Sequence, residues 1–457
     1  MRTFPTHPPL ALRRRRPKPA LARAAMALAA TALAMAWPGR ASAQDLQTLY
    51  EAARSYDAVY RAAMAQAESA QFRAAQAEAL LRPSAAVTAS GGLQSTNPPG
   101  RSATEVTSMG ATLSGRMPLF NRANGASVEQ ARRSLVSAQA ELDAAGQDLI
   151  VRVAQAYFEA LAAQDGLNVV RSGKSFIAEQ LSSARRGFEV GTATITDTRE
   201  AQARFDLVAA QEIAAENDLL AKRIALNQLV GRADVQPHPL KVPMVAPAAV
   251  AAGLEEWVTL ADRDHPSIRR ARASLEVSEL EIDRARAARL PTVDATASLE
   301  PAYARGSGVP RVGTTTTAKV GVQLNWLLYN GGATHNRIKE TLALTERSRS
   351  EVEAARRGVA QATRVAYLGV QSGAAQVRAL EAAESSSQLA LEATQLGYRV
   401  GVRVNLDVLN AQTQLVQTQR DLARARYEFI VGGLRLRQAS GQLTPADVAV
   451  VNALLKP

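Results

Sequence analysis

The 457-residue chain contains no cysteine, 47% hydrophobic but only 4% aromatic residues, and carries a formal charge of +12. Without cysteine there is no disulfide framework, thiolate zinc site, cysteine nucleophile or lipid-bearing N-terminal cysteine. The scarcity of Phe, Tyr and Trp excludes several ordinary globular cores, and with alanine as the commonest residue it predicts long helices packed closely along their length.

In chain order, the first 43 residues carry the features of an export signal. Arg13, Arg14, Arg15, Arg16 and Lys18 form a basic stretch, Leu21 to Trp37 is an apolar run, and Ala41-Ser42-Ala43 is a small-x-small cleavage site. The run is short and interrupted by Arg23, which disfavours a retained anchor. The arginine cluster lacks the twin-arginine pattern, so Sec export with cleavage after Ala43 is expected. Loss of this leader removes eight of the 54 basic and none of the 42 acidic residues, leaving +4 on the remaining 414 residues. That mild balance predicts no nucleic-acid partner. No later run of 18 apolar residues predicts a transmembrane helix.

The remainder reads twice, at an offset near 210 residues. GFEVGTATITDTREAQ (187–202) matches GYRVGVRVNLDVLNAQ (397–412) without a gap, and Gly231 and Gly441 close the two copies. RPSAAVTAS (82–90) matches LPTVDATAS (290–298), and MPLFN (117–121) matches WLLYN (326–330). The predicted organisation is a signal peptide 1–43, a first repeat 44–235, a linker 236–254 with four prolines, a second repeat 255–442 and a C-terminal segment 443–457.

Within each repeat the expected order is helix, two strands, a very long helix, a turn and a helix. From about 122 to 186 no proline interrupts the pattern, and Leu135, Ala138, Leu142, Ala145 and Leu149 step by three and four. Val153, Ala156, Ala160, Ala163, Leu167 and Val170 continue after a stutter. Such a helix extends about 100 Å, the length of a coiled-coil rod. Partner helices near 195–231 and 405–440 are about half as long. Shorter helices at 45–81 and 262–289 complete the antiparallel pairing if they stack end to end with them.

Strands are predicted at about 84–92, 106–117, 292–300 and 317–327, where apolar and small polar residues alternate. Val293, Ala295, Ala297 and Leu299, for example, alternate with Asp294, Thr296, Ser298 and Glu300. The pattern is that of membrane-barrel strands, with a soluble hairpin as the alternative. Four strands cannot close a barrel, so if they cross a membrane, several chains must share one.

The start YEAARSYDAVYRAA (50–63), LRPS and LPT before the strand pairs, NGGATHNRI (330–338), the two matched turns and the end LTPADVAVVNALLKP (443–457) together resemble the TolC family of outer-membrane channels. The resemblance covers essentially all the chain after the leader. It implies a fold of long antiparallel coiled-coil helices plus four strands per chain, three chains forming a 12-stranded β-barrel continued by an α-helical barrel. It also implies a passive exit duct for type I protein secretion or small-molecule efflux, set in outer-membrane lipid. The implied partners are an inner-membrane ABC or proton-driven transporter and a periplasmic membrane-fusion adaptor. By the same resemblance, Thr196 and Asp197 are acceptors and Tyr398 and Arg403 donors of a gate network at the periplasmic tip. Asp407 matches a pore-facing acidic ring, whose second position is Asn410 here, lowering the ring charge. Glu200 occupies the place of Asn410 in the first repeat, and Gln414 begins a polar stripe continued by Gln417, Asp421, Arg424 and Glu428. A periplasmic coiled-coil adaptor or structural rod without a pore is the alternative.

Enzyme signals are weak. Gly173-Lys174-Ser175 imitates a phosphate loop, but residue 168 is Asn and the stretch lies in the helical pattern. The four histidines are scattered and no hydrolase or metalloprotease motif occurs. No catalytic activity and no cofactor are expected.

Overall fold

The computed structural model describes residues 44–241, 253–307 and 309–456. The expected leader, and most of the expected linker, lie outside the described residues. The chain begins with α1 (Leu46–Tyr56) and α2 (Ala58–Glu78), followed by β1 (Ser84–Thr96), β2 (Thr104–Phe120), α3 (Arg122–Glu189) and α4 (Ile195–Val230). The second repeat follows the same order with α5 (Leu254–Asp264), α6 (Pro266–Ala287), β3 (Thr292–Gly306), β4 (Gly313–Asn325), α7 (Ala333–Arg399) and α8 (Asn405–Ala439). A short α9 (Pro445–Asn452) ends it.

α3 and α7, of 68 and 67 residues, run as unbroken helices of about 100 Å. Ala138, Leu149, Val153, Ala160, Leu167 and Val170 of the predicted stripe are buried on α3, so the local period does select its core face. The expected helix 45–81 is instead divided at Asp57. The Asp57 amide closes α1 on the Ala53 carbonyl, while its carboxylate caps α2 by accepting from the Tyr60 amide at 2.7 Å. Arg152 of α3 donates to both oxygens of this carboxylate, at 2.9 and 3.1 Å. That pairing, against the opposing effect of burial, holds the Asp57 carboxyl below its ordinary range. In the second repeat the same break falls at His265, whose Nδ1 accepts from the Ser267 amide, with Pro266 opening α6. The end of α4 at Gly231 abuts the Tyr56 ring, and Gly441 beyond α8 abuts His265. The expected end-to-end stacking is therefore present in both copies, with each break at the joint.

α3 is central. Nearest the strands the packing order is α2, α3, α6, α7; towards the opposite end it is α4, α3, α8, α7. Four buried aromatic residues, Tyr50, Tyr157, Phe158 and Tyr427, share one core where the two repeats join. Tyr157, Phe158 and Tyr427 are buried together with Leu149, Ile150, Leu226 and Leu434, and the Phe158 and Tyr427 rings stack 5.7 Å apart. Each such buried side chain contributes about 1.5–3 kcal/mol, so this junction ties the repeats together beside the α3–α6 packing. Tyr427 also donates to Asp165, a carboxyl raised by its burial. The stretch 236–241, expected as linker, is pinned here: the Tyr157 phenol accepts from the His238 amide at 2.8 Å, and Pro237 pairs with Gln44 while Leu240 pairs with Leu455. Leu443, Val448, Val451 and Leu455 of the C-terminal segment complete the same core.

The four strands form one antiparallel sheet in the order β1-β2-β3-β4, leaving β1 and β4 as open edges. All four reach further from the helices than the alternating apolar pattern indicates, because ladder pairing continues through small and β-branched residues, as in Leu93↔Thr107, Ser95↔Glu105 and Tyr303↔Thr314. At the other end β4 stops at Asn325, before Trp326 and Leu327. The β2–β3 ladder joins the two repeats and is interrupted only beside Pro301, which lacks an amide hydrogen to donate, and at a register shift between Pro118 and Phe120.

Candidate functional site

The pairing register sorts the strand residues onto two faces. One carries Val87, Leu93, Leu113, Val320, Val322 and Leu324, all exposed, with Val320 at 89%. Its charged residues, Glu105 and Arg305, lie only at the end of the sheet remote from the helices. The opposite face carries Thr88, Ser90, Ser114, Thr296, Ser298 and Thr317. A sheet with an uncharged apolar band on one face, small hydroxyl side chains on the other and, among the described residues, no helix packed on either is built for lipid outside and water inside. A soluble hairpin would leave that band in water. Trp326, Tyr329 and Leu328 stand exposed where strands meet helices, as aromatic residues do at a membrane surface.

At the far end of the helices, two turns of identical backbone join α3 to α4 and α7 to α8. The Thr192 amide donates to the Gly187 carbonyl at 2.8 Å and the Gly191 amide to the Phe188 carbonyl at 3.1 Å; Val402, Gly397, Gly401 and Tyr398 repeat the pattern at 2.9 and 3.1 Å. Gly191 and Gly401 take left-handed φ of 80° and 77°. Gly187 and Gly397 are needed for a different reason: a Cβ on either would lie 3.0 Å from Ala193 Cβ or 2.8 Å from Arg403 Cγ, where the chain folds back.

The caps that follow differ. Thr194 and Asp197 form a reciprocal capping box, Asp197 Oδ2 accepting from the Thr194 amide at 2.9 Å and hydroxyl at 2.7 Å. The second turn has Val404 in place of the threonine. Asp407 accepts from the Val404 amide only at 3.4 Å and lies 3.7 Å from Arg403, whose side chain is 62% exposed. Tyr398 is half-buried against Leu391, Val408 and Leu415, and Thr196 is exposed. Within one chain no hydrogen bond joins Tyr398 or Arg403 to Thr196 or Asp197. Asn410 has a partner that the sequence did not indicate: its Oδ1 accepts from Arg204 of α4 at 2.8 Å. Arg204 occupies the place of Gln414 in the other repeat, and that change of charge at matched positions was the available signal. Glu200 makes no side-chain hydrogen bond among the described residues, and Gln414 donates to Thr418 on its own helix at 3.3 Å.

Because Arg204 already faces Asn410, Asn410→Asp alone is expected to shift ion selectivity only slightly, the new carboxylate being paired on arrival. Asn410→Asp with Arg204→Gln is expected to raise cation preference clearly, as read from reversal potentials across a salt gradient. An equal shift from both variants would show that Arg204 does not offset a charge at position 410.

Gln417, Asp421, Arg424 and Glu428 are exposed as a stripe and line one side of a groove of 630 Å³, bounded on the others by α3 and α4. Gly173, part of the phosphate-loop imitation, lies inside α3 with Val416 of α8 3.0 Å from its Cβ direction, a close packing position.

The sequence model described as Outer membrane efflux protein matches residues 40–232 and 257–442. The chain is 32% identical over 420 residues to outer membrane protein TolC of Vibrio cholerae, covering 91% of this chain and 94% of that one. It is 33% identical over 349 residues to alkaline protease secretion protein AprF of Pseudomonas aeruginosa, covering 75% and 72%. The solved outer membrane protein VceC from Vibrio cholerae superposes with a TM-score of 0.74 at 21% identity, over 87% of this chain and 96% of that one. The outer-membrane channel OprN superposes with a TM-score of 0.76 at 20% identity, over 87% and 90%. The expected fold class, long antiparallel helices with four strands per chain in a trimeric barrel, is the one these comparisons share.

Proposed function

The chain belongs to the outer membrane efflux protein family, and from that premise we propose that three copies form a passive exit duct running from the outer membrane of a Gram-negative cell into the periplasm. The observation that carries this is the continuity of open edges: β1 and β4 end the sheet, and α7 on one side with α2 and α4 on the other end the helical layers. Head-to-tail repetition of one seam closes both at once, giving twelve strands and a helical tunnel. The duct serves type I protein secretion, small-molecule efflux or both; the relative AprF is named for protease secretion and BepC of Brucella suis for efflux. Energy comes from an inner-membrane ABC or proton-driven transporter reached through a periplasmic membrane-fusion adaptor. Thr196, Asp197, Tyr398 and Arg403 form the gate between neighbouring turns, and Asp407 with Asn410 rings the pore below it. The first 43 residues direct Sec export.

Expressed in a Gram-negative host, the full chain is expected in the outer-membrane fraction as a trimer that withstands detergent until heated. Purified and added to planar bilayers, it is expected to give discrete single-channel steps. A soluble monomer without conductance would instead indicate a periplasmic adaptor or rod.

A further inference from the structure

Six charged residues occur in the four strands: Glu105, Arg116, Asp294, Glu300, Arg305 and Lys319. Glu105 and Arg305 sit on the apolar face at the remote end. The other four all fall on the hydroxyl-bearing face, and they fall there in pairs. Arg116 Nη2 lies 2.6 Å from Asp294 Oδ2, bridging β2 and β3, and Lys319 Nζ lies 3.0 Å from Glu300 Oε2, bridging β4 and β3. Asp294 is buried, with Oδ1 unpartnered, and Ser298 donates to Glu300 at 3.4 Å. Pairing is not forced by crowding, since the Arg116 and Lys319 side chains are 62% and 64% exposed. The rest of that face is Ser, Thr, Ala, Gly and Gln with Val106, Pro118 and Asn325.

We propose that the barrel section of the duct is electrically neutral by construction: each chain's four lumen charges cancel within two cross-strand pairs, so the barrel passes cargo of either sign and leaves charge selection to the helical tunnel. This rests on the duct reading above. In a trimer each pair becomes a ring of three, and a ring of three unpaired charges would instead select by sign. The cargo suited to such a barrel is one bearing both charges along its length, as an extended polypeptide does, because neither sign meets a fixed ring of its own or the opposite kind.

The test is to unpair one ring at a time, with Arg403→Ser and Tyr398→Phe present throughout so that the tip does not dominate the resistance. At about 0.01 M salt, where screening extends about 30 Å, Lys319→Gln is expected to move the potassium-to-chloride permeability ratio about two- to threefold toward potassium. Glu300→Gln should move it similarly toward chloride, and the double variant should return to the starting value. Unshifted single variants, or two shifts in the same direction, would overturn the proposal. A second readout uses the absence of native cysteine. In reconstituted vesicles, Lys319→Cys should react with a membrane-impermeant maleimide, whereas Val320→Cys, on the lipid face, should be shielded. Equal labelling overturns the face assignment. If the unaltered chain never conducts, the duct reading fails, and the labelling contrast alone then decides which face meets water.

Discussion

Leu368→Asp is expected to abolish the detergent-resistant trimer and leave a helical monomer, whereas Leu368→Met should retain the trimer. The seam explains why. Both helical layers end on α7 on one side and on α2 or α4 on the other, and these outer helices carry large apolar side chains that the described residues leave exposed. On α7 they include Val365, Leu368 and Leu389; on α4 they include Leu207, Leu220 and Ile224, all at least half exposed. Counting about 1.5 Å per residue from the shared turns sets Leu389 of one copy level with Leu207 of the next, and Leu368 level with Ile224. A carboxylate there loses its water at each seam, a cost of several kcal/mol that Arg364, one turn before it on α7, offsets only in part, and symmetry repeats it three times. Leu→Met preserves volume and typically costs less than about 1.5 kcal/mol. Circular dichroism separates a broken seam from a misfolded chain. A trimer band unchanged by Leu368→Asp would show that α7 does not form this interface.

Arg403→Ser combined with Tyr398→Phe is expected to raise single-channel conductance about threefold or more by letting the helix pairs part at the tip. Inside one chain Arg403 has little to hold it. The Arg403–Asp407 contact is 3.7 Å between exposed groups, an arrangement typically worth no more than about 1 kcal/mol. In the first turn, Asp197 commits Oδ2 to the capping box, while Oδ1 accepts from no group among the described residues. The second turn thus presents donors and the first an acceptor, each with capacity for a partner on a neighbouring turn. A guanidinium–carboxylate bond there is charge-assisted and about twice as strong as a neutral one. Arg403→Lys keeps the charge but not the fork and should open the channel only partly. Conductance equal to the unaltered channel in all three variants would leave Tyr398 and Arg403 as turn-packing residues.

Much of this organisation was legible from local pattern. The long helix expected from 122 to 186 runs from 122 to 189, because apolar spacing and the glycine turn that stops it act within a few residues of each other. The duplicated turns were legible for the same reason, and each has the same hydrogen bonds. The alternating strands placed Asp294 and Glu300 on one face. The sequence also pointed to the division of Asp197, Tyr398, Arg403 and Asp407 between two matched turns.

What the sequence by itself determined, then, is the order of elements and the face each presents, properties set within about four residues along the chain, together with the twofold repetition that matching 187–202 to 397–412 reveals. Only the tertiary structure decided the partners. Asp57 divides a helix that local periodicity runs through, and Arg152 arrives from another helix to hold its carboxylate. Arg204 reaches Asn410 across the two repeats, Tyr427 reaches Asp165, and Arg116 reaches Asp294. The strand ends and the pinning of 236–241 likewise depend on ladders and cores assembled from distant segments. Such choices follow from register and helix crossing, and a periodic pattern states which side of a helix or strand is sticky without stating what will meet it.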